Sequence, residues 1–305
     1  MKYNKPAVSF SDQVKKLKRR GLLFRDEHKA EQILSRISYY RLRAYTYPFQ
    51  DNSNPEHPFK IKIYFETIID LYKFDSQLRL LIFDALEKIE IALRTQIIYQ
   101  WAMTNGSHWQ TNIRLFRDQE RFYEHKKSLE KEISRSDETF IKHYKKKYTE
   151  PPQPPAWISL EVASFGTLSK LYQNLINGEE KKAVAKSFKL PNPLFLENWM
   201  LCFSNLRNIC AHHGRLWNRR LVAIPKLPYN VNGIFLTKKE IETIYPNKIY
   251  GNLCIINYML SEINSANNFR QKLVRLMDNC PLDQEKEMGF LEGWREHPLW
   301  NINIK

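Results

Sequence analysis

The chain has few cysteines, which could cross-link the fold, few glycines, which interrupt helices, and no long apolar segment. Its 305 residues include 9 glycines, 15 prolines and 4 cysteines. The cysteines are scattered along the chain and form no close pair, so we expect no disulfide scaffold and favour a cytoplasmic location. The sequence shows no signal-peptide pattern at its start and no apolar run long enough for a membrane span, so a membrane partner is not expected.

Acidic residues are the minority charge. The chain carries 48 Lys and Arg against 33 Asp and Glu, which gives a net charge of +15. This excess indicates a polyanionic partner, and nucleic acid before a membrane surface, although a merely soluble basic surface is the alternative. Because 43% of the residues are hydrophobic, the chain can bury a sizeable core.

Long stretches without glycine or proline predict an all-α fold. From Ile61 to Asn105 neither residue occurs, and apolar side chains recur at steps of three and four. This pattern predicts one very long helix, or two with a small break, that ends at Asn105-Gly106. We expect a helical N-terminal subdomain over residues 1–55 and a helical domain over residues 56–305.

Turn-forming residues divide the rest of the chain into shorter elements. Two short helices with Gly21 between them are expected over 11–47, and a single helix over 253–277. The other expected elements are a turn-rich linker at 51–58, charged helices over 115–147, a proline-rich loop at 149–155, helices over 157–188, and a small loop insertion at 225–250 with a short hairpin around Asn232-Gly233.

One basic segment combines the groups that RNA cleavage needs. It reads LRNICAHHGRLWNRR over residues 206–220, on a helix expected to start at Pro191–Pro193 and to end with Gly214 as its C-cap. A histidine can take the proton of an RNA 2′-hydroxyl, and an arginine can stabilise the charge on phosphorus. Arg207 and His212 are therefore the catalytic candidates, with Asn208 beside them. This chemistry needs no metal or cofactor and leaves a 2′,3′-cyclic phosphate.

The spacing of the two candidates raises a geometric question. On a continuous helix, a separation of five residues places two side chains about 140° apart around the axis. Asn208 and His212 share a face, whereas Arg207 and His212 do not. The helix could end near Ala211 and free His212, or two copies of the motif could face each other. No other arginine in this chain precedes a histidine at that spacing, so the second arrangement needs a second chain.

Other residues near the motif have competing interpretations. His213 fits a packing or RNA-contact role better than catalysis. Cys202 and Cys210 with the two histidines match no standard zinc module, and Cys210 is expected to pack as a small apolar residue, so no metal is predicted.

A second set of charged residues lies on the long helix. Glu87, Glu90 and Arg94 lie on one stripe of it and could support the catalytic groups or form a structural ion-pair network. For Glu87 we favour the structural interpretation, and for Glu90 and Arg94 both stay open.

Clusters of cations mark candidate RNA-binding surfaces. In the cluster formed by Lys142, Lys145, Lys146 and Lys147, the rings of Tyr144 and Tyr148 alternate with the cations. This pattern suits phosphate pairing combined with base stacking. Tyr39 and Tyr40 lie near further arginines, but we expect them in the core. The candidate RNA-binding residues are Lys15, Lys16, Lys18, Arg19 and Arg20; Lys142, Lys145, Lys146 and Lys147; and Arg215, Arg219 and Arg220.

Several segments, in order along nearly the whole chain, resemble the Abi-like (AbiD/AbiF) abortive-infection family of bacterial proteins. Besides the motif, these are residues 38–45, 71–79, 87–95, 154–169 and 288–290. The resemblance implies a ribonuclease of the HEPN superfamily. It also implies a HEPN-like helical bundle, a composite site in a homodimer, a toxin role in phage defence, and a structured noncoding RNA that binds and controls the protein.

Two other functions compete with this interpretation. One is a non-catalytic RNA-binding scaffold that keeps the HEPN shape, against which the intact Arg207, Asn208 and His212 argue. The other is a DNA-binding regulator, for which the sequence shows no recognition-helix signature.

Overall fold

A computed structural model of the chain describes residue 2 and residues 6–302, and helices make up most of this part. Fourteen α-helices, numbered α1 to α14 in chain order, and three short 3₁₀ turns form its regular structure. The prediction of an all-α fold is confirmed. The chain divides into two compact units, residues 1–79 with 275–284, and residues 80–274 with 285–305. This division differs from the expected domain boundary at residues 55–56, which stays a prediction.

The first unit contains three short helices where two were expected. Gly21 separates the first two and has a φ of 96°, which suits a residue without a Cβ. The third begins at Tyr39, and the Ser38 side chain before it accepts a hydrogen bond from the Arg41 N–H and so caps the helix. The helices are α1 (Phe10–Arg19), α2 (Glu27–Arg36), α3 (Tyr39–Thr46) and the first part of α4 (Phe65–Asn105).

Buried polar side chains cross-link α3 and α4 within this unit. The Tyr45 hydroxyl donates to an Asp75 carboxylate oxygen at 2.5 Å, and Arg79 forms an ion pair with the same oxygen. All three side chains are buried. Burial, together with the adjacent Asp75 carboxylate, raises the pKa of Tyr45 and keeps the hydroxyl protonated as a donor. This network fixes the register of the two helices.

The prediction of one very long helix is confirmed. Helix α4 runs for 41 residues without a break and ends at Asn105, and Gly106 follows with a φ of 79°. Its apolar residues at steps of three and four are buried along its length. Because the helix continues into the second unit, it supplies one wall of the candidate site described below.

The second unit contains the remaining helices, and two expectations about it were wrong. Residues 253–277 do not form one helix, because Asn264–Asn268 interrupt it. The loop expected at 225–250 ends where helix α12 (Ile249–Ile263) begins, and it contains a short helix capped by Thr237 and Glu240. Its residues form no strand, so the expected hairpin around Asn232-Gly233 is absent. The helices are α5 (Gln119–Ser134), α6 (Thr139–Lys147), α7 (Ala156–Ser159), α8 (Phe165–Asn174), α9 (Glu179–Ser187), α10 (Pro193–Ala211), α11 (Lys238–Thr243), α12 (Ile249–Ile263), α13 (Phe269–Asp278, which continues into the first unit) and α14 (Glu285–Met288).

Helix α12 lies at the centre of the second unit. Every residue from Ile249 to Leu260 is buried, so the helix has neighbours on all sides. Helix α10 packs against it, and the ring of Trp199 meets Tyr258 edge-on with 5.7 Å between their centroids. Helix α10 also packs against α8 and α9. The apolar side of α10 is thereby held in the core, and this fixes the position of its carboxyl end.

Candidate active site

The basic motif lies at the carboxyl end of α10, where the helix stops at Ala211 with His212 as its C-cap. The N–H of His213 donates to the Cys210 carbonyl at 3.0 Å, and the N–H of Gly214 donates to the Ile209 carbonyl at 2.8 Å. These two bonds form a Schellman motif, which satisfies carbonyls that the end of a helix leaves open. The helix therefore ends before His212, as the first of the two expected arrangements requires.

Gly214 does not occupy the position that we expected for it. The residue with a left-handed backbone is His213, with a φ of 54°, and Gly214 follows it. The need for glycine at 214 is steric, because a Cβ there would lie 3.1 Å from Ile209 Cγ2 and 3.2 Å from the Ile209 carbonyl oxygen. The prediction of Gly214 as the C-cap was therefore wrong, and the residue with the strained left-handed backbone is His213.

Arg207 is half-buried on α10 and faces α4. Its guanidinium lies over the ring of Phe83, 5.8 Å from the centroid. Within the described part of the chain, this guanidinium has no hydrogen bond or ion pair. It lines a cavity of about 350 Å³. The other side chains of the cavity wall are Phe83, Glu87, Glu90, Ile91, Arg94 and Glu161.

Arg94, in the same cavity, has hydrogen-bond partners on both of its terminal nitrogens. Its Nη2 forms an ion pair with Glu90, and its Nη1 donates to the carbonyl oxygens of Leu160, at 2.7 Å, and of Glu161. The Arg94 side chain thus ties α4 to the segment that follows α7. The structural interpretation of Arg94 is supported, and the ion pair places Glu90 beside it in the wall.

Glu90 has an unusual electrostatic setting. Burial raises the pKa of its carboxyl group, and this effect exceeds the opposing effect of the positive charges of Arg94 and Arg207. Glu87 adds a smaller effect in the same direction as burial. Since Arg207 acts on Glu90 electrostatically, the two side chains belong to one charged cluster at this end of the cavity.

His212 and Asn208 face solvent. Both residues are exposed, and neither side chain forms a hydrogen bond within the described residues. The main-chain N–H of His212 donates to the Asn208 carbonyl at 3.0 Å, which fixes the backbone beneath both side chains. His212 is not part of the wall of the Arg207 cavity among the described residues. The structure therefore places the three candidates on one helix end without joining Arg207 to His212.

The segment after α10 concentrates positive charge beside the motif. The Arg215 guanidinium lies over the Trp217 ring at 5.6 Å, and Asn218, which has a φ of 47°, accepts a hydrogen bond from Lys248 Nζ at 2.7 Å. Burial lowers the pKa of Lys248, and the charges of Arg220 and Arg215 lower it further. These cations therefore lie close enough to act on one another. Arg219 is half-buried and Arg220 is exposed.

The basic residues of α6 differ in their accessibility. Lys142 pairs with Asp137 at 2.9 Å, and Lys145 donates to the Ile133 carbonyl at 3.2 Å. Tyr144 is buried and donates to the carbonyls of Pro151 and Gln153, so it cannot stack on a base. The expected alternation of cations with accessible rings therefore holds only at the carboxyl end, where Lys146, Lys147 and Tyr148 are exposed.

The basic residues of α1 are partly used within the first unit. Lys15 pairs with Asp12 at 3.4 Å, and Lys18 pairs with Glu27 at 2.5 Å. Arg20 donates to the Tyr39 hydroxyl at 3.0 Å, and Arg19 is exposed. Lys16 is half-buried.

Tyr40 corrects an expectation about the core. We predicted Tyr39 and Tyr40 to be buried, but Tyr40 is 75% exposed and Tyr39 is half-buried. The helix α3 turns these two residues away from its buried side, which is formed by Leu42, Tyr45 and Thr46.

The sequence alone did not identify two residues of the site. Phe83 supports the Arg207 guanidinium, and Glu161 adds a third carboxylate to the cavity wall. Both are far from residue 207 in sequence, and no local motif connects them with it. The apolar residues around Phe83 gave only the helical period of α4.

The cysteines and the possible metal ligands have separate surroundings. None of the four cysteines forms a disulfide in the described part of the chain, and Cys202 and Cys210 are buried. Burial raises the pKa of the Cys202 thiol to about 12. The described residues contain no group of three or more histidine, cysteine, aspartate or glutamate side chains arranged to hold a metal ion. Within the same residues, no helix is at once long and apolar enough to cross a membrane.

Comparison with known proteins identifies a family for this chain. A family model described as "Abi-like protein" matches residues 32–218, which include α3, α4, the Arg207 cavity and the whole motif up to Asn218. No curated protein and no solved structure matches the chain. Since the match covers more than half of its residues, the chain belongs to the Abi-like protein family.

Proposed function

We propose that this protein is a metal-independent endoribonuclease of the HEPN type that acts as a toxin in abortive infection. The observation that carries the proposal is the state of the motif. Arg207 is held over Phe83 in a cavity with its guanidinium donors unused, and His212 is exposed on a fixed backbone with no partner for its ring among the described residues. An arginine that faces a cavity with its N–H donors unpaired is available to bind an anionic group such as a phosphate.

The proposed reaction uses the 2′-hydroxyl of RNA as its nucleophile. His212 removes the proton of this hydroxyl, the 2′-oxygen bonds to phosphorus, and the bond from phosphorus to the 5′-oxygen breaks. The leaving 5′-oxygen takes a proton from a protonated imidazole. Arg207 stabilises the phosphorane through two parallel N–H donors, and Asn208 orients the substrate. The products are a 2′,3′-cyclic phosphate and a 5′-hydroxyl.

The site supports this reaction best as a composite of two copies. A single copy contains one Arg–His pair at this spacing, Arg207 and His212, and in one copy His212 does not line the Arg207 cavity among the described residues. The surface beside Arg207 carries large exposed apolar side chains on one stripe of α4, with Leu80 68% and Ile91 58% exposed and Phe83 between them. Exposed apolar stripes of this kind are typical of interaction surfaces. We assign this stripe to a homodimer contact that places His212 of one copy near Arg207 of the other.

A test of the chemistry uses purified protein and a single-stranded RNA in buffer with EDTA. We expect cleavage to continue, and mass spectrometry of the fragments to show 2′,3′-cyclic phosphate and 5′-hydroxyl ends. The His212→Ala variant serves as the control for a contaminating nuclease and should be inactive. Fragments with 3′-hydroxyl ends, or cleavage that stops on chelation, would overturn the mechanism. RNA binding without cleavage would favour the non-catalytic scaffold.

A test of the composite site mixes inactive variants. Arg207→Ala and His212→Ala are each expected to be inactive alone, and a mixture should regain part of the activity because some mixed dimers contain one intact pair. Ile91→Glu should separate the dimer in light scattering and abolish cleavage, whereas Tyr99→Glu, an exposed position off this stripe of α4, should do neither. An active monomer would disprove the assignment.

The proposal includes a structured noncoding RNA that binds and controls the toxin. Its support is the charge of +15 and the exposed cations of α1, of the carboxyl end of α6 and of the segment after α10. Such contacts to phosphates make binding strongly dependent on salt. Sequencing of the RNA that copurifies with the His212→Ala variant at low salt tests this part, and the absence of one enriched structured species would contradict it.

A further inference from the structure

A second cavity lies in the first unit, away from the motif in sequence. It has a volume of about 580 Å³ and is formed by α1, α3 and the residues Pro55 and His57. The proposed ribonuclease chemistry uses none of its residues. Its volume is within the range of small-molecule sites, which is about 300–1,000 Å³.

The walls of this cavity are positively charged. Lys16, Arg20 and Arg43 line it, and no acidic side chain does so among the described residues. Arg43 is half-buried, and its guanidinium forms no hydrogen bond or ion pair within the same residues. Arg20 is also half-buried, with one hydrogen bond from Nη1 to the Tyr39 hydroxyl. Two arginines with open donors therefore face one concave surface, which suits a phosphate.

Three polar atoms of the lining residues are withdrawn from water without a partner. They are Gln13 Oε1, Arg20 Nε and His57 Nδ1, none of which has a hydrogen bond in the described part of the chain. His57 also has a φ of 52°, a conformation that a non-glycine residue rarely adopts. Unpartnered buried polar groups and backbone strain are unfavourable, and they gather at binding sites, where small side-chain rotations toward a ligand satisfy them.

The rim of the cavity adds a flat aromatic surface. The Tyr40 ring is 75% exposed, and Tyr39 meets it edge-on with 6.4 Å between their centroids. The Tyr39 hydroxyl is fixed by Arg20, and its perpendicular ring contact supports Tyr40, most of which stays exposed. An exposed tyrosine face beside arginines is the arrangement on which nucleobases stack.

We propose that this cavity binds a nucleoside phosphate, with the phosphate on Arg20 and Arg43 and the base against Tyr40. The ligand has two sources with the same chemistry, a free mononucleotide or one nucleotide of an RNA strand. The inference goes beyond the proposed ribonuclease and does not depend on it, because binding here requires neither Arg207 nor His212.

The experiment measures binding by calorimetry with the full chain and with probes that the proposed nuclease cannot cleave. The probes are adenosine and uridine 5′-monophosphate, and a 2′-O-methyl RNA tetranucleotide that lacks the attacking hydroxyl. Arg43→Gln and Tyr40→Leu should each weaken binding about tenfold or more, as expected for the loss of a charge-assisted hydrogen bond or a stacking surface. The matched controls are Arg36→Gln on α2 and the exposed Tyr47→Leu, which should bind as the unaltered protein does.

The measured affinities distinguish a free nucleotide from an RNA strand and show whether the proposed site exists. Equal affinity for mononucleotide and tetranucleotide identifies a free nucleotide, and a tetranucleotide that binds at least tenfold more tightly identifies an RNA strand; both support the site. If inorganic phosphate competes as well as the nucleotides do, or if the control variants lose as much affinity as the test variants, the proposal is overturned. Absence of binding by all probes also overturns it and leaves the cleavage chemistry untouched. Circular dichroism melting confirms that each variant is folded.

Discussion

Two arginines line the cavity beside the motif, and the chain holds them in opposite ways. Arg94 uses its donors on Glu90 and on the carbonyls of Leu160 and Glu161. Arg207 rests on the ring of Phe83 and keeps its donors free of partners among the described residues. A guanidinium has five N–H donors, and what they bind indicates its role. The α4 arginine is a structural cross-link, and the α10 arginine is available to a ligand.

The largest effect is expected from removing the unpartnered arginine. Arg207→Ala should lower kcat for RNA cleavage by about 10³-fold, since it removes donors that act in the transition state. The melting temperature should stay the same, because Arg207 holds no other side chain through hydrogen bonds in the described chain. Arg114→Ala, an exposed arginine in the same unit, is the matched control for lost positive charge. If kcat falls only because the variant is unfolded, Arg207 has a structural role and the contrast with Arg94 is wrong.

Removing the partnered arginine should have the opposite outcome. Arg94→Met leaves the half-buried Glu90 carboxylate and two carbonyls without their donor, and should lower the free energy of unfolding by about 3 kcal/mol. Lys88→Met breaks an exposed ion pair with Asp84 on the same helix and should cost less than about 0.5 kcal/mol. Urea denaturation measures both. If the two variants are equally stable, Arg94 is not the cross-link that its contacts indicate.

The same contrast explains what the sequence could predict. Helix α4 was predictable because its residues lack glycine and proline and repeat at helical steps over 41 residues. The break between α12 and α13 was missed, although residues 264–268 contain three asparagines and a serine, which are typical of a loop. The motif identified Arg207, Asn208 and His212 as candidates from local sequence.

The surroundings of those candidates depended on the fold. Phe83 and Glu161 reach Arg207 only through the packing of the helices in the second unit, so no spacing in the sequence indicates them. The left-handed backbone of His213 was also hidden, since Gly214 next to it is the residue that normally adopts that conformation. Similarly, Tyr40 was assigned to the core because aromatic residues are usually buried, whereas the fold of α3 exposes it.

The smallest effect on stability is expected from His125, which has a buried ring nitrogen without a hydrogen bond but lies in neither proposed ligand site. His125 on α5 is buried, and its Nε2 has no hydrogen bond among the described residues. Burial lowers the pKa of this imidazole, and the positive charge of Lys170 lowers it further. Because the folded-state pKa is below the unfolded value of 6.5, the unfolded chain binds more protons as the pH falls. The stability that neutral His125 contributes is present above pH 6.5 and is lost as the pH falls from there toward the folded-state pKa.

We therefore expect the unfolding free energy of the wild type, minus that of His125→Gln, to fall as the pH is lowered from 7.5 through 6.5, and to level off once the folded-state pKa is passed. Lys170→Gln should reduce the size of this fall, because it removes a charge that opposes protonation of the ring. Urea denaturation at each pH measures the difference. Parallel curves for wild type and His125→Gln would mean that the ring finds a partner in solution. We expect Lys170→Gln to reduce the fall and His125→Gln to leave RNA cleavage at pH 7.5 unchanged. These two results together would show that a missing hydrogen-bond partner alone does not mark an active site. Arg207 would then differ from His125 because its unpaired donors face a cavity.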